Sequence, residues 1–150
     1  MLLAEGLIEK DYIVESIESL SNTIKNLLIA YNQSNEELNK KKLKGLFKKL
    51  ESLYMKYQQL SIMISRAQAL ATISINETEI SLKDAIIIKD IMDNKLERLT
   101  SFLNEVRKEK SDRFICIDVD DIEKTIDMLK VDIKTLDVKI QTKVWNTEVR

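Results

Sequence analysis

The segment IEKTIDMLKVDIKTLDVKI, residues 122–140, places an apolar side chain at alternating steps of four and three residues. Two other segments, residues 13–31 and 46–64, repeat this pattern. A mean apolar period of about 3.5 residues is typical of helices that pack side by side along a narrow stripe. The sequence therefore predicts a mainly α protein built from long helices. In the quoted segment the repeating residues are Ile122, Ile126, Leu129, Ile133, Leu136 and Ile140.

The composition is compatible with long helices in one domain. The chain has 150 residues, of which 44% are hydrophobic and 33% are charged, so it is too apolar for a disordered chain and too charged for a membrane bundle. Proline does not occur and glycine occurs twice, which removes the residues that most often interrupt helices. We expect a single helical domain that covers residues 1–150.

A polar turn separates the first two expected helices. Ser34 and Glu37 have the spacing of a capping box, in which the Ser34 side chain accepts from the Glu37 amide and Glu37 reaches back. Because the turn is short, the helices on either side of it are expected to form an antiparallel hairpin.

Helix-start signals also mark the second half of the chain. Ser81, three residues before Asp84, predicts the start of the third helix, and Asp118 or Asp120 predicts the start of the fourth. The expected helices span residues 2–31, 35–69, 82–110 and 119–144.

A small β-ribbon is expected between and after these hairpins. Residues 72–80 alternate β-branched and polar side chains around Asn76 and Glu77, which predicts a hairpin. Residues 113–117 are short and apolar, and we expect them to pair with that ribbon because a lone strand leaves its amides unsatisfied. The predicted fold is thus two long antiparallel helical hairpins, a four-helix, coiled-coil-like bundle, with a small β-ribbon near 72–81 and 113–117.

Charged residues beside the apolar stripes predict the register of the first hairpin. With a turn centred near residues 33–34, Glu18 faces Lys49 and Asp11 faces Lys56. Exposed pairs of this kind stabilise a protein by only ~0.2–1 kcal/mol each, so they select a register without holding the fold together.

Several apolar residues lie outside the stripes and predict a partner for the helices. Extra apolar faces on slender helices indicate that further helices cover them, so we expect the protein to form homo-oligomers. These residues are Leu28, Phe47, Tyr54, Ile86, Ile87 and Ile91.

The residue types exclude most hydrolase mechanisms. Histidine does not occur, which removes histidine acid–base catalysis, histidine-activated nucleophiles and imidazole metal ligands. Cys116 is the sole cysteine and is expected to be a buried or half-buried strand residue. We expect no catalytic residues, no cofactor and no metal site. The acids near the fourth helix are interpreted as helix-start residues; they are Asp118, Asp120, Asp121 and Glu123.

A lysine-rich segment offers one alternative function. Lys41, Lys44 and Lys48 share one helix face and could contact RNA or another anion. On that outward face no aromatic residue or arginine is interleaved with them, and the net charge of the chain is −1. A solvated face is therefore the favoured interpretation, and neither nucleic acid nor a membrane is the expected partner.

The two ends of the chain carry further expectations. Trp145, the one tryptophan, is expected just past a helix end, where it anchors the C-terminal tail on the bundle or on a partner subunit. Acidic residues arrive by position 5 and no basic region precedes them, which is unlike a signal peptide. We expect a cytoplasmic protein.

Several short motifs resemble a family of small, all-helical bacterial proteins that carry the label septicolysin. The motifs are LAEGLIEK at 3–10, TIS at 72–74, SLKDA at 81–85, LDVKIQ at 136–141 and WNT at 145–147. Family members tend to have an Asp-Gly type of turn where this chain has Asn76 and Glu77. The resemblance implies an all-helical fold over the whole chain and, through the label, a cytolysin, but it implies no catalytic residues.

The sequence favours a non-enzymatic cytoplasmic scaffold or protein-interaction module that self-associates. One alternative is the membrane-active protein that the resemblance implies. Its best candidate segment, residues 80–92, contains Lys83, Asp84, Lys89 and Asp90, and charges at bilayer depth cost several kcal/mol. The other alternative is an RNA-binding helical hairpin.

Overall fold

A computed structural model describes residues 1–109 and 114–150 of the chain. The described residues form four helices and a two-stranded antiparallel sheet, which confirms the mainly α class with a small β-ribbon. They divide into two compact units, Met1–Ala67 with Thr147–Arg150 and Gln68–Asn146. The elements are α1 (Leu3–Leu27), α2 (Gln33–Leu70), β1 (Thr72–Ile75), β2 (Thr78–Ser81), α3 (Leu82–Lys108) and α4 (Val119–Asn146).

The first unit contains the antiparallel hairpin of α1 and α2. The Lys10 ammonium lies 5.7 Å from the centroid of the Tyr57 ring, a contact that fits the register predicted from the charged residues. The ion pairs that suggested this register do not form within the described residues: neither Glu18 with Lys49 nor Asp11 with Lys56 is a salt bridge. Long exposed side chains gain too little from pairing to give up their hydration and freedom.

The turn between α1 and α2 differs from the expected one. α1 ends at Leu27 instead of residue 31, and α2 begins at Gln33 instead of residue 35. The N-cap is Asn32, whose side-chain oxygen accepts from the Asn35 amide at 2.8 Å, so the predicted capping box of Ser34 and Glu37 is wrong. Asparagine caps a helix as well as serine does, and the earlier start brings Asn39 to the end of α1. There its amide group donates to the Leu27 carbonyl at 3.1 Å.

The C-terminal tail completes the first unit. The Leu3 amide donates to the Thr147 carbonyl at 2.7 Å, and the Val149 amide donates to the Met1 carbonyl at 2.9 Å. Leu2 and Glu148 form an isolated antiparallel bridge between these bonds. The tail is therefore held by backbone pairing with the first residues of the chain, and Val149 is buried.

In the second unit, α3 and α4 pack against each other in antiparallel order. Arg107, near the end of α3, forms an ion pair with Glu123 near the start of α4. Between these ends of the helices, Leu103 packs with Ile122 and Ile126 in a buried cluster. This is the second antiparallel helical hairpin of the predicted fold.

Both helices of the second unit begin with the predicted caps. The Ser81 hydroxyl accepts from the Asp84 amide at 3.0 Å, which places Ser81 at the N-cap of α3 as expected. The Asp118 carboxylate accepts from the Asp120 amide at 2.9 Å at the start of α4. Side-chain oxygens at these positions satisfy backbone donors that the first helical turn leaves without intrahelical partners.

The β-hairpin has the tight turn that its sequence predicts. Ile75 pairs with Thr78, and the two residues between them, Asn76 and Glu77, have φ angles of 49° and 66°. Positive φ at both central residues defines a type I′ turn, whose twist matches that of the flanking strands. The Leu82 amide donates to the Ala71 carbonyl at 2.7 Å, which closes the ribbon where α3 begins.

The expected strand at residues 113–117 is wrong over its described part. Residues 114–117 form no strand and are exposed, and Arg113 lies outside the described residues. The ribbon lies at the start of α3, whereas residues 114–117 follow its end, about 40 Å away along a 27-residue helix. A strand at that distance cannot pair with the ribbon.

The last feature of the helices is their hydropathy, which bears on membrane crossing. Among the described residues, no helix combines the length and the apolar character that crossing a membrane requires.

Candidate interaction surface

α4 carries two apolar stripes that differ in burial. The inner stripe is buried in the chain, while the outer stripe remains 53–68% exposed at its four largest apolar residues, Met128, Val131, Val138 and Trp145. The inner stripe consists of Ile122, Ile126, Leu129, Leu136, Ile140 and Val144. The outer stripe is defined here as Met128, Val131, Thr135, Val138, Thr142 and Trp145.

The two stripes lie on opposite sides of the helix. Outer residues follow inner-stripe positions by two residues, as Met128 follows Ile126 and Val138 follows Leu136. Two residues correspond to a rotation of about 200° around the helix axis. The outer stripe therefore faces away from the inner stripe and runs for about 26 Å along α4.

Charged residues flank the outer stripe on both sides. Asp127 and Lys134 lie along one edge of the stripe, and Asp132 and Lys139 lie along the other. Acidic residues thus flank the half of the stripe nearer the start of α4, and lysines flank its middle. In paired helices, residues in these flanking positions determine partner orientation.

The β-hairpin lies beside the C-terminal half of the outer stripe. The Lys139 ammonium donates to the Ser74 carbonyl at 2.8 Å, which ties α4 to β1. An open cleft of about 490 Å³ lies beside this bond, between Ser74 and Asn76 on the hairpin and Val138 and Thr142 on α4. The lining combines methyl groups with amide and hydroxyl groups, which suits the side chains of a protein partner.

Lys89 connects α3 with α4 by charge. Its ammonium lies 3.2 Å from the Asp93 carboxylate and 3.8 Å from that of Asp137. The hydrogen bond to Asp93 is the largest influence on the pKa of Lys89 and raises it above its usual value. Desolvation is the next largest and lowers the pKa, while the negative charges of Asp93, Asp137 and Asp90 each raise it by a smaller amount. The neighbouring carboxylates thus stabilise the charged form of Lys89, and its ion pair with Asp137 links α3 to α4.

Most of the apolar residues that the sequence placed outside the stripes are exposed. Ile86 is half-buried, and the other five are 49–63% exposed: Leu28, Phe47, Tyr54, Ile87 and Ile91. These residues form shorter sets than the outer stripe of α4. Phe47 with Tyr54 and Ile87 with Ile91 each span at most two helical turns.

The lysines singled out in the sequence remain on the solvent side of α2. Lys41, Lys44 and Lys48 are all exposed. The one ion pair of this segment among the described residues joins Lys40 to Glu36 at 2.9 Å. The role of the three lysines toward RNA or another anion stays a prediction.

Trp145 occupies a different position from the expected one. It lies inside the last turn of α4, which ends at Asn146, and not beyond the helix end. Its side chain is 53% exposed as part of the outer stripe, whereas the tail is held through Leu2 and Glu148. The expected position beyond the helix end is therefore wrong, while the anchoring of the tail on the bundle or on a partner subunit stays a prediction.

The structure also gives the positions of Cys116 and of the acids at the start of α4. Cys116 is exposed instead of half-buried in a strand, because residues 114–117 form no strand. Asp118 caps α4 and Glu123 pairs with Arg107, so two of the four clustered acids have structural partners. Within residues 1–109 and 114–150, no three acidic or cysteine side chains converge in a way that could hold a metal ion.

Comparison with known proteins assigns the chain to a family. The chain belongs to a family of unknown function (DUF6847), which matches residues 10–149. No curated protein matches the chain. A crystal structure described as a functionally unknown conserved protein from Corynebacterium diphtheriae is similar, with a TM-score of 0.83 and 20% sequence identity over 100% of this chain and 99% of that one. At this identity the similarity shows a shared fold.

The outer stripe was not predicted from the sequence as a unit. Its members follow the same alternating steps of three and four residues as the inner stripe, but Thr135 and Thr142 interrupt the apolar character. A search for a second apolar period, displaced by two residues from the first, would have found Met128, Val131 and Val138. Trp145 would then have been placed on the helix and not beyond it.

Proposed function

We propose that this protein is a non-enzymatic helical interaction module that self-associates in the cytoplasm. The observation that carries the proposal is the outer stripe of α4, with Met128, Val131, Val138 and Trp145 more than half exposed along one helix face. Scattered apolar residues are normal on a protein surface, but exposed apolar residues aligned along one helix face mark an interaction site. A stripe with period 3.5 in particular fits another helix, because this spacing keeps the same residues facing a partner along the whole contact.

The residue types support an interaction role over an enzymatic one. The chain contains no histidine, so the commonest acid–base group, which is also the usual activator of serine and cysteine nucleophiles, is missing from its sequence. The exposed aliphatic and aromatic groups are the kind enriched in the centre of protein interfaces. The proposed activity is therefore binding.

Sedimentation equilibrium across micromolar concentrations tests the proposal. The expected result is a mass that rises with concentration above the 17.4 kDa of the single chain. A single charge in the middle of the stripe, Val131→Glu or Val138→Glu, should shift the protein towards monomer, because it leaves a carboxylate in an apolar contact. Lys130→Glu, an exposed change beside the stripe, is the matched control and should leave the mass unchanged.

Three results contradict the proposal. The first is a wild-type mass of 17.4 kDa at every concentration. The second is leakage of liposomes by micromolar protein, which would support the membrane-active alternative. The third is salt-dependent RNA binding that is lost when Lys41, Lys44 and Lys48 are changed to glutamine, which would support the RNA-binding alternative.

A further inference from the structure

We propose that the occupant of the outer stripe is the same stripe of a second copy, in antiparallel orientation about a two-fold axis between Leu136 and Asp137. This inference rests on the proposed self-association and adds its geometry. It predicts which residues face each other across the contact, and it selects antiparallel over parallel packing.

The flanking charges select the orientation. In a parallel pair, each residue on one edge faces the residue five positions later on the other edge of the partner. Asp127 would then face the partner's Asp132, and Lys134 would face the partner's Lys139. Both contacts join like charges, so the parallel arrangement is disfavoured along the whole stripe.

In the antiparallel arrangement, opposite charges face each other in place of like charges. Residues on the same edge then face each other, and Asp132 lies opposite the partner's Lys139. The two-fold axis repeats this contact, so one dimer contains two ion pairs of opposite charge. On the other edge, Lys134 lies opposite the partner's Gln141, which carries no charge.

The stripe residues also match in this register. Met128 packs against the partner's Trp145, and symmetry repeats that contact at the other end of the interface. A methionine sulfur beside an aromatic ring is a favourable contact. Toward the axis, Val131 faces the partner's Thr142 and Thr135 faces the partner's Val138, so each threonine methyl group meets a valine. All six positions of the stripe are thereby covered.

The contacts that Lys139 already makes leave it able to pair. Its ammonium uses one of three donors for the Ser74 carbonyl, which holds the side chain beside the stripe. The cleft next to it, between the β-hairpin and Val138, is open and can admit the flank of a partner helix. Asp132 is exposed on the same edge of α4.

Charge reversal in the full-length protein tests the register. Asp132→Lys places a new ammonium group opposite the partner's Lys139, and Lys139→Asp creates the matching repulsion between acids. Each variant alone should dissociate about tenfold more readily than the wild type at low salt, where exposed pairs are least screened. An equimolar mixture of the two variants should associate as tightly as the wild type within about threefold, because every facing pair is again of opposite charge.

The mixture isolates the pairing from any effect on folding. Lys139→Asp also removes the bond to Ser74, whereas Asp132→Lys does not touch the hairpin, so tighter association in the mixture than in either variant depends on the facing charges. Asp127→Lys is the control for orientation. In the antiparallel dimer it should change affinity by less than about twofold, while in a parallel dimer it would replace a repulsion with an attraction and tighten binding.

The outcomes separate this inference from the proposed function. Wild-type protein that stays monomeric overturns both. Wild-type protein that dimerises and is disrupted by Val138→Glu, but gains nothing from mixing the two charge variants, overturns the register alone. Tighter dimerisation by Asp127→Lys overturns the antiparallel orientation in favour of the parallel one.

Discussion

The two sides of α4 carry the same apolar spacing and have different surroundings. Leu129 on the inner side is 8% exposed, whereas its neighbour Met128 on the outer side is 68% exposed. The periodic pattern fixes which side chains share a face, but the burial of that face depends on whether another element covers it. α3 packs against α4 in this chain, and the outer stripe is left for a partner. Residues of similar chemistry should therefore respond differently to mutation according to their surroundings.

The largest expected difference is between these two neighbours. Leu129→Ala should lower the free energy of unfolding by ~2–5 kcal/mol, because it leaves a cavity between α3 and α4. Met128→Ala should change it by less than about 0.5 kcal/mol in dilute, monomeric protein. Urea unfolding at low protein concentration measures both values. Equal losses in the two variants would mean that the outer stripe is already covered within the monomer.

The second comparison concerns the helix cap at the turn of the first hairpin. Asn32→Ala should destabilise the protein by ~0.5–2 kcal/mol, because the Asn35 amide loses its acceptor. Ser34→Ala should have little effect, since the serine lies inside the first turn of α2 and does not cap it. Thermal unfolding of the two variants decides between these positions, and a larger loss for the serine variant would restore the capping box.

The third comparison is between two glutamates of the β-hairpin. Glu77→Gly should stabilise the protein by ~0.5–1 kcal/mol, because glycine adopts the positive φ of the turn without strain. Glu79→Gly in the extended strand β2 should destabilise it by a similar amount. Opposite signs in urea unfolding confirm the type I′ turn, whereas losses in both variants argue for a different turn conformation.

The smallest expected effect is the pH dependence contributed by Lys89. Its folded-state pKa is raised above the usual 10.5, so its ion pairs contribute fully below pH 10.5 and are lost as pH rises through the folded-state pKa. The difference in unfolding free energy between wild type and Lys89→Met should be below about 1 kcal/mol at pH 8 and should shrink above pH 10.5. Lys95→Met, at an exposed position of the same helix, is the control. A difference that grows with pH would contradict this assignment.

Local signals in the sequence predicted most of the secondary structure. The apolar period located α4, and the start signal at Ser81 located α3. The described ends of both helices lie within two residues of the predicted ones, and Asp118 marked the start of α4. Asn76 and Glu77 predicted the β-turn. Each of these features depends on neighbouring residues, whose interactions are visible in a short window of sequence.

The remaining features depend on distances that a short window does not show. Residues 113–117 have strand-like composition, but a helix of about 40 Å separates their described part from the ribbon that they were expected to join. Asn32 replaced Ser34 as a cap because two equally good capping residues lay two positions apart. The outer stripe escaped recognition for a related reason, since sequence alone does not distinguish the covered face of α4 from the open one.

The fluorescence of Trp145 tests the central claim most directly. This tryptophan is the only one in the chain and lies at one end of the outer stripe, so its emission reports on that surface without any label. If two copies bury the stripe, the emission maximum should move to shorter wavelength as the protein concentration rises through the range in which the mass doubles, and Val138→Glu should abolish the shift. An emission maximum that stays constant while the mass doubles would show that the copies meet through another surface.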